Sequence, residues 1–248
     1  MTHPDNVADF GFRQVPAAAK KPMVRAVFDS VAPSYDIMND LMSLGIHRVW
    51  KRIFVNVLRP SPHHTLLDLA SGTGDIVMGW QKHGGGPVIA TDINQAMLAT
   101  GRNRLIAKGF GPNIHYAVAD AESLPIPSAS VDRVSMAFGL RNCTDKDAVL
   151  AEARRVLRPG GRFFCLEFSK LNIAVLEGAY QRWSFDVLPF IGGKVAKDSE
   201  SYRYLAESIR MFPDQEKLLQ MMRNAGLERV SHQNLSGGIV AIHSGWRL

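Results

Sequence analysis

The run Leu66-Leu67-Asp68-Leu69-Ala70-Ser71-Gly72-Thr73-Gly74-Asp75 limits what this chain can fold into more than any other stretch. An apolar strand stops near an acid, turns through two close glycines and opens into a helical pattern. Parallel-sheet proteins use this strand, turn and helix to bring backbone N–H groups up to a ligand at a helix N-terminus. Glycine suits such a turn because a side chain there would block the ligand's approach. A dinucleotide fingerprint asks for a third glycine three residues after the second. Val77 stands at that position, and Asp75, which opens the helix, would repel a phosphate. Both departures favour a ligand without phosphate.

The rest of the chain repeats the alternation. Strands are expected at Thr65–Leu69, Val88–Thr91, His115–Val118, Val131–Phe138 and Arg162–Phe168. Helices are expected over Asp75–His83, from Asn94 to about Lys108 and over Asp145–Leu157, the last stopped by Pro159-Gly160-Gly161. After a helix at Pro213–Ala225, Leu227–Asn234 and Gly238–Trp246 read as an antiparallel hairpin. The prediction is an α/β fold: a doubly wound, mainly parallel, seven-stranded Rossmann-like sheet with ligands outside the carboxyl ends of its strands. Residues 1–21 read as a mobile tail and 22–248 as one domain. Within it, 22–60 form a helical cap with apolar stripes Met23, Val27, Phe28, Val31 and Ile46, Val49, Trp50, Ile53, Phe54, Val57. Residues 170–210 form an insertion rich in apolar and aromatic side chains.

Bulk properties exclude several classes. The chain has 248 residues, two cysteines and a formal charge of +6. Cys143 and Cys165 match neither a metal nor a redox spacing, so unpaired thiols in a reduced cytoplasm are expected. No apolar run approaches the roughly 20 residues needed to span a bilayer, and Asp5, Asp9 and Arg13 interrupt any secretory core. The eight histidines offer no ligand spacing, so no metal is expected. The mild positive charge can attract an anionic membrane surface. It forms no dense lysine/arginine block of the kind that binds nucleic acid.

Three acids end three successive expected strands. Asp68 either caps the glycine turn or receives a ligand ammonium. Asp92, 18 residues beyond Gly74, is where a ribose ligand is expected, since a carboxylate accepts from two hydroxyls at once. Asp120-Ala121 can meet an adenine edge, and Ala137-Phe138 faces the remaining part of the ligand. An amino-acid portion joined to a nucleoside without phosphate describes S-adenosylmethionine, with S-adenosylhomocysteine as its product. The candidate cofactor positions are Asp68, Gly72, Thr73, Gly74, Asp92, Ile93, Asp120, Ala121 and Ala137, with a bound nucleotide or a purely structural strand-turn-helix as the alternative readings of the loop. Arg141 and Asn142 follow where a methyl group would be delivered, and Tyr35-Asp36 lies in a loop that can fold over the site.

Longer matches then add a family. The blocks Tyr35-Asp36-Ile37-Met38-Asn39-Asp40, Phe138-Gly139-Leu140-Arg141-Asn142, Arg158-Pro159-Gly160-Gly161 and Ser201 through Arg210 resemble the ubiquinone/menaquinone biosynthesis C-methyltransferase family. The resemblance covers roughly residues 23 to 248. It implies a class I methyltransferase that moves a methyl from S-adenosylmethionine to a ring carbon of a lipid-soluble, polyprenylated benzoquinol or naphthoquinol. By similarity Thr73, Asp92, Asp120, Ala121 and Ala137 hold the cofactor. Many members carry serine where this chain has Ala137, a change that a backbone contact survives and a hydroxyl contact does not.

Carbon methylation needs an electron-rich ring, and a quinol becomes a better nucleophile when a hydroxyl loses its proton. Phenols, with pKa near 10, are mostly neutral at pH 7. Arg141 is the expected cation beside that oxygen, Arg141 and Asn142 together hold the oxygen or a water, and Tyr35 positions the ring or relays the proton, with Tyr35, Asp36 and a bound water all open as the proton acceptor. Trp183, Phe185, Leu188, Phe190 and Ile191, beside Lys194 and Lys197, form either a membrane-facing entrance or a self-packed lid. A cytoplasmic protein at the inner face of the membrane is expected, alone, as a homodimer or within a quinone-biosynthesis assembly.

Overall fold

The computed structural model describes residues 7–31, 40, 43, 45–170 and 199–248. Tyr35, Asp36 and the aromatic part of the insertion, 171–198, lie outside them. The start of the chain differs from the expected tail. Strands β1 (Val7–Phe10) and β2 (Arg13–Pro16) form an antiparallel hairpin that leads into helix α1 (Ala17–Val31). Contacts distant in sequence order it. Phe10 is buried and stacks on Tyr204 with ring centroids 4.3 Å apart. The Phe12 N–H donates to Glu207 Oε2 at 3.0 Å. A local reading of residues 1–21 carries no trace of either partner.

Helix α2 (His47–Leu58) buries His47, Trp50, Phe54, Val55 and Leu58. Its inward stripe is rotated from the expected one: Ile46 and Val49 stand 43% and 48% exposed. Charged Arg48, Lys51 and Arg52 between the apolar residues left the phase of the stripe open by about one position.

The main sheet contains β3 (Leu66–Leu69), β4 (Val88–Asp92), β5 (Ile114–Val118), β6 (Val131–Ala137), β7 (Leu157–Phe168), β8 (Glu228–Leu235) and β9 (Val240–Arg247). Their order is β5-β4-β3-β6-β7-β9-β8, parallel except for β9, which runs antiparallel to both neighbours. The seven strands and the closing hairpin match the expectation. Pro159-Gly160-Gly161 does not separate helix from strand as expected. Leu157 already pairs with Val131, and the register shifts before Arg162 pairs with Arg133.

Helices α3 (Asp75–Lys82), α4 (Gln95–Ala107), α5 (Lys146–Val156), α6 (Ser199–Met211) and α7 (Gln215–Asn224) complete the described fold. The side chains of Asn94, Asp145 and Asp214 each accept from a backbone N–H three residues on, satisfying donors at the starts of α4, α5 and α7. Alternation along β3 sends Leu66 to one core with Phe54, Trp80 and Phe164, and Leu67 and Leu69 to another with Val134, Phe163 and Leu150. With both faces covered, β3 is apolar throughout except for Asp68. The chain leaves β3 toward β4 and returns to its other side at β6. That reversal opens a crevice beyond the carboxyl ends of the strands.

Candidate active site

The glycine turn sits at this crevice. Ala70, Gly72 and Gly74 take φ of +52°, +53° and +81°. The glycines are needed for fit to the protein itself. A Cβ on Gly74 would fall 2.9 Å from Leu105 Cδ1, and Gly72 requires its left-handed backbone. Gly101 was missed by sequence reading: its Cβ would lie 2.6 Å from the Gly72 carbonyl oxygen, so a glycine inside α4 lets that helix press on the turn. An isolated glycine in a helical pattern was the available signal.

Asp75 is not the bare charge the sequence suggested. Lys51 Nζ and Arg104 Nη1 each approach its carboxylate at 2.7 Å. Burial opposes its ionisation, but these two cations outweigh burial and hold its pKa down to about 2. Its repulsion of a phosphate is therefore largely cancelled, and that argument against a nucleotide loses force.

Asp92 ends β4 and is 8% exposed. Its Oδ2 accepts from the Gly72 N–H and its Oδ1 from the Asn94 N–H, both at 2.8 Å. Two backbone donors fix the carboxylate, and each oxygen keeps a lone pair for a further donor. Burial pushes its pKa up. Asp120 Oδ1 accepts from the Glu122 N–H at 2.9 Å, while its Oδ2 meets Lys21 Nζ from α1 at 2.6 Å. Lys21 also pairs with Glu122 at 2.7 Å.

Asp68 is buried under the turn. Ser135 Oγ donates to its Oδ1 at 2.6 Å, while Oδ2 has no hydrogen-bond partner among the described residues. Burial drives its pKa up to about 7, and the Asp92 charge adds to this. Such a group accepts a cation readily, because a buried carboxylate is costly until something positive meets it.

The turn after β6 is held from a distance. Phe138 takes φ +58°, uncommon outside glycine. Its ring packs against Phe168, centroids 4.9 Å apart, and against Trp50. Arg141 is 7% exposed, and its position differs from the expected cation facing an acceptor. Its Nη1 pairs with buried Glu167 Oε1 at 2.9 Å and donates to the Phe138 carbonyl, while its guanidinium lies over the Phe168 ring. Glu167 demands a buried counter-charge, and that demand turns the guanidinium inward. Asn142 does face the cleft. Its Oδ1 accepts from the Tyr204 hydroxyl at 3.1 Å. Burial pushes that hydroxyl's pKa well above the ordinary tyrosine value.

One cleft thus gathers Asp92, Ile93, Asp120, Ala121, Ala137 and Asn142, roofed by Lys21 and Arg25 of α1. An adjoining cavity adds Asp68 and Thr73 and shares Gly72 and Ala137 with the first. Gly74 lies behind the turn, against Leu105. The roof is tied down by Arg25 Nη2, which donates to the Ile93 carbonyl at 3.2 Å, and by Asp29, which accepts from Asn94 Nδ2 at 2.7 Å. Lys21 and Tyr204 are site residues that sequence reading did not assign, since each reaches the cleft from another part of the chain.

The orphaned Asp68 oxygen and the anchored Asp92 carboxylate, which suit an ammonium and a pair of hydroxyls, fit S-adenosylmethionine. Among the described residues no group of three His, Cys, Asp or Glu side chains is arranged to hold a metal ion.

Comparison with known proteins agrees. The profile of the ubiE/COQ5 methyltransferase family matches residues 16–247. The ubiquinone/menaquinone biosynthesis C-methyltransferase UbiE of Acidiphilium cryptum is 67% identical over 240 residues, 97% of this chain and 96% of that one. Its namesake from Methylococcus capsulatus is 53% identical over 98% of this chain and 99% of its own. Among solved structures, a SAM-dependent methyltransferase from Aquifex aeolicus superposes with TM-score 0.62 at 16% identity, over 86% of this chain and 98% of its own. At that identity the likeness speaks for the fold alone.

Proposed function

Because the chain belongs to the ubiE/COQ5 methyltransferase family, it is an S-adenosylmethionine-dependent C-methyltransferase of quinone biosynthesis, and we propose how its residues divide that work. Asp92 receives the ribose hydroxyls of the cofactor. Asp120 and the Ala121 N–H meet the adenine edge, and the backbone of Ile93 and Ala137 lines the nucleoside and methionine portions. The turn from Gly72 through Gly74 supplies backbone N–H groups, with Thr73 beside them. Asp68 receives the ammonium, directly or through water. The observation that carries this reading is the unpartnered Asp68 oxygen in a cavity that shares Gly72 and Ala137 with the Asp92 cleft.

When bound, S-adenosylmethionine supplies an electrophilic methyl group on a positively charged sulfur. The acceptor is a lipid-soluble quinol, methylated at a ring carbon. Asn142 holds a ring oxygen of this acceptor through its amide, with Tyr204 fixing which way the amide points. Arg141 is a positioning residue: pinned by Glu167, it grips the Phe138 carbonyl and sets the turn that presents Asn142. Tyr35, outside the described residues, is assigned from the sequence alone to position the acceptor ring or relay its proton. Most of the remaining rate enhancement comes from alignment of methyl and ring carbon, the kind of effect that reaches about 7–11 kcal/mol in well-oriented systems. Since the substrate dissolves in lipid, we read the protein as working at the cytoplasmic face of a membrane. Among the described residues no helix is long and apolar enough to cross one.

The test is direct. Purified protein is incubated with methyl-labelled S-adenosylmethionine and a chemically reduced demethylated quinone in detergent, and label is followed in the extracted lipid. Label on a ring carbon is expected, and parallel reactions with benzoquinol and naphthoquinol identify the acceptor. Cofactor binding without labelled lipid from either quinol would overturn the acceptor assignment.

A further inference from the structure

A groove between α2 and α3 shares none of its lining with the Asp92 cleft. It encloses about 780 Å³ with its open mouth, within the roughly 300–1,000 Å³ of small-molecule sites. Arg48, Lys51, Arg52 and Val55 follow at helical spacing along α2 and share one face of it. Asp75, Gly79 and Lys82 do the same along α3, and Arg104 reaches in from α4. Gly79 brings the two helices together: a Cβ there would lie 2.6 Å from Val55 Cγ2. Cations that are scattered along the sequence thus line one gap.

Among the described residues the groove is lined by five Lys or Arg side chains and one carboxylate, Asp75. Lys51 and Arg104 share that carboxylate, and Arg48 is matched by Asp40. No ion pair or side-chain hydrogen bond among the described residues engages Arg52 or Lys82, and both are exposed. The paired cations also keep donors in reserve. Arg104 spends only Nη1, on Asp75 and the Thr73 carbonyl, so Nε and Nη2 are left. Lys51 spends one N–H of its ammonium on Asp75. A solvated helix face commonly mixes both signs, whereas like charges one turn apart, as at Arg48 and Arg52, repel. An anion with several oxygens relieves that repulsion and uses the spare donors. Phosphate suits the groove better than a carboxylate, since it carries more charge and is bound both by Arg forks and by Lys point charges. Lys51 and Asp75 also line the cavity that holds Asp68 and Thr73, so their ion pair is the partition between groove and cofactor cavity. S-adenosylmethionine has no phosphate, so the groove is not an extension of its site.

We propose that the groove between α2 and α3 is a second binding site, for a phosphate group, with Lys51, Arg52, Lys82 and Arg104 as its donors. A bilayer headgroup and a soluble phosphate present the same chemistry here, and the experiment separates them using the full-length protein. The groove variant is Arg52→Gln with Lys82→Gln, two exposed positions whose loss leaves the fold intact. The control is Lys217→Gln with Arg223→Gln, which removes the same charge from exposed positions of α7. Thermal melting is followed in low-millimolar inorganic phosphate against chloride at matched ionic strength. Phosphate is expected to raise the melting temperature of the wild type and the control, with affinity about tenfold weaker in the groove variant. The general salting effect of phosphate is common to all forms and cancels in the difference. Co-sedimentation with phosphatidylglycerol vesicles, against phosphatidylcholine, is the second arm. Vesicle binding lost only in the groove variant assigns the site to a headgroup. A groove-dependent phosphate response without vesicle binding assigns it to a soluble ligand. Neither arm involves cofactor or quinol, so the outcome stands apart from the methyl-transfer reading. If neither readout is weaker in the groove variant than in the control, the proposal is overturned.

Discussion

The two halves of the active-site crevice are built differently. On the side assigned to the cofactor, around β3 and β4, Asp92 and the glycine turn are fixed by neighbouring chain, Asp92 by the N–H groups of Gly72 and Asn94 and Ser71 by Thr91, while Asp68 leans on Ser135 of β6. On the acceptor side, after β6, the turn depends on remote partners. Glu167 holds Arg141, Tyr204 holds Asn142, and Phe10 of the N-terminal hairpin stacks on Tyr204. The Asp92 contacts need only β3 and β4 in register, and Asp68 needs β6 as well. The acceptor side exists only when the whole domain is closed. Mutations on the two sides should therefore differ in kind, with affinity changing on the first side and turnover or global stability on the second.

The harshest test of this contrast is Glu167→Ala. It leaves the Arg141 guanidinium buried without its counter-charge, a change that typically costs about 3–5 kcal/mol. Urea unfolding should show that loss. Unchanged stability would mean that the Phe138 carbonyl and the Phe168 ring suffice to hold Arg141, and the acceptor side would then be as self-contained as the cofactor side.

Asp68 tests the cofactor side through pH. Its folded pKa of about 7 lies above the ordinary value of 3.8. Between those values the folded protein binds more protons than the unfolded chain, so stability falls as pH rises through the window, by up to about 1.4 kcal/mol per pH unit. Cofactor affinity should move the opposite way, rising as Asp68 ionises near pH 7. Asp68→Asn should flatten both profiles, as read by urea midpoints and by calorimetric binding between pH 5 and 8. An unaltered affinity profile in the variant would remove Asp68 from the ammonium.

Asp92→Ala follows in size. It deletes charge-assisted contacts worth about 1.5–3 kcal/mol, so S-adenosylmethionine affinity should drop roughly 10- to 100-fold. Lys21 and Asn142 stay in place, so a loss confined to turnover would contradict the division of labour.

The same contrast explains what the sequence could disclose. Strand ends, glycines and the spacing of Asp68, Asp92 and Asp120 are local signals, and they located the fold and the residues that line its crevice. The ordered hairpin at Val7–Pro16, the reach of Lys21 to Asp120 and the inward turn of Arg141 are set by partners about 26 to 195 residues away. Periodicity and motif spacing do not encode such pairings. Arg141 and Asn142 were legible as a pair in the turn after β6. Which of them faces the cleft was not, because it depends on Glu167 lying at zero exposure beneath the turn.

The mildest change resolves the acceptor side most finely. Tyr204→Phe keeps the ring and its stack on Phe10 and removes only the donor to Asn142 Oδ1. A neutral hydrogen bond of this type is worth about 0.5–1.5 kcal/mol. If the hydroxyl merely stabilises the fold, the melting temperature falls while kcat per folded enzyme holds. If it sets the Asn142 amide against the acceptor oxygen, kcat falls about 2- to 10-fold while the KM for S-adenosylmethionine stays level. The second outcome is expected, since among the described residues the Asn142 amide makes one other hydrogen bond, a long 3.5 Å approach of Nδ2 to the Phe138 carbonyl. Without Tyr204 that amide is free to turn over, and the acceptor would meet an oxygen where it needs a donor.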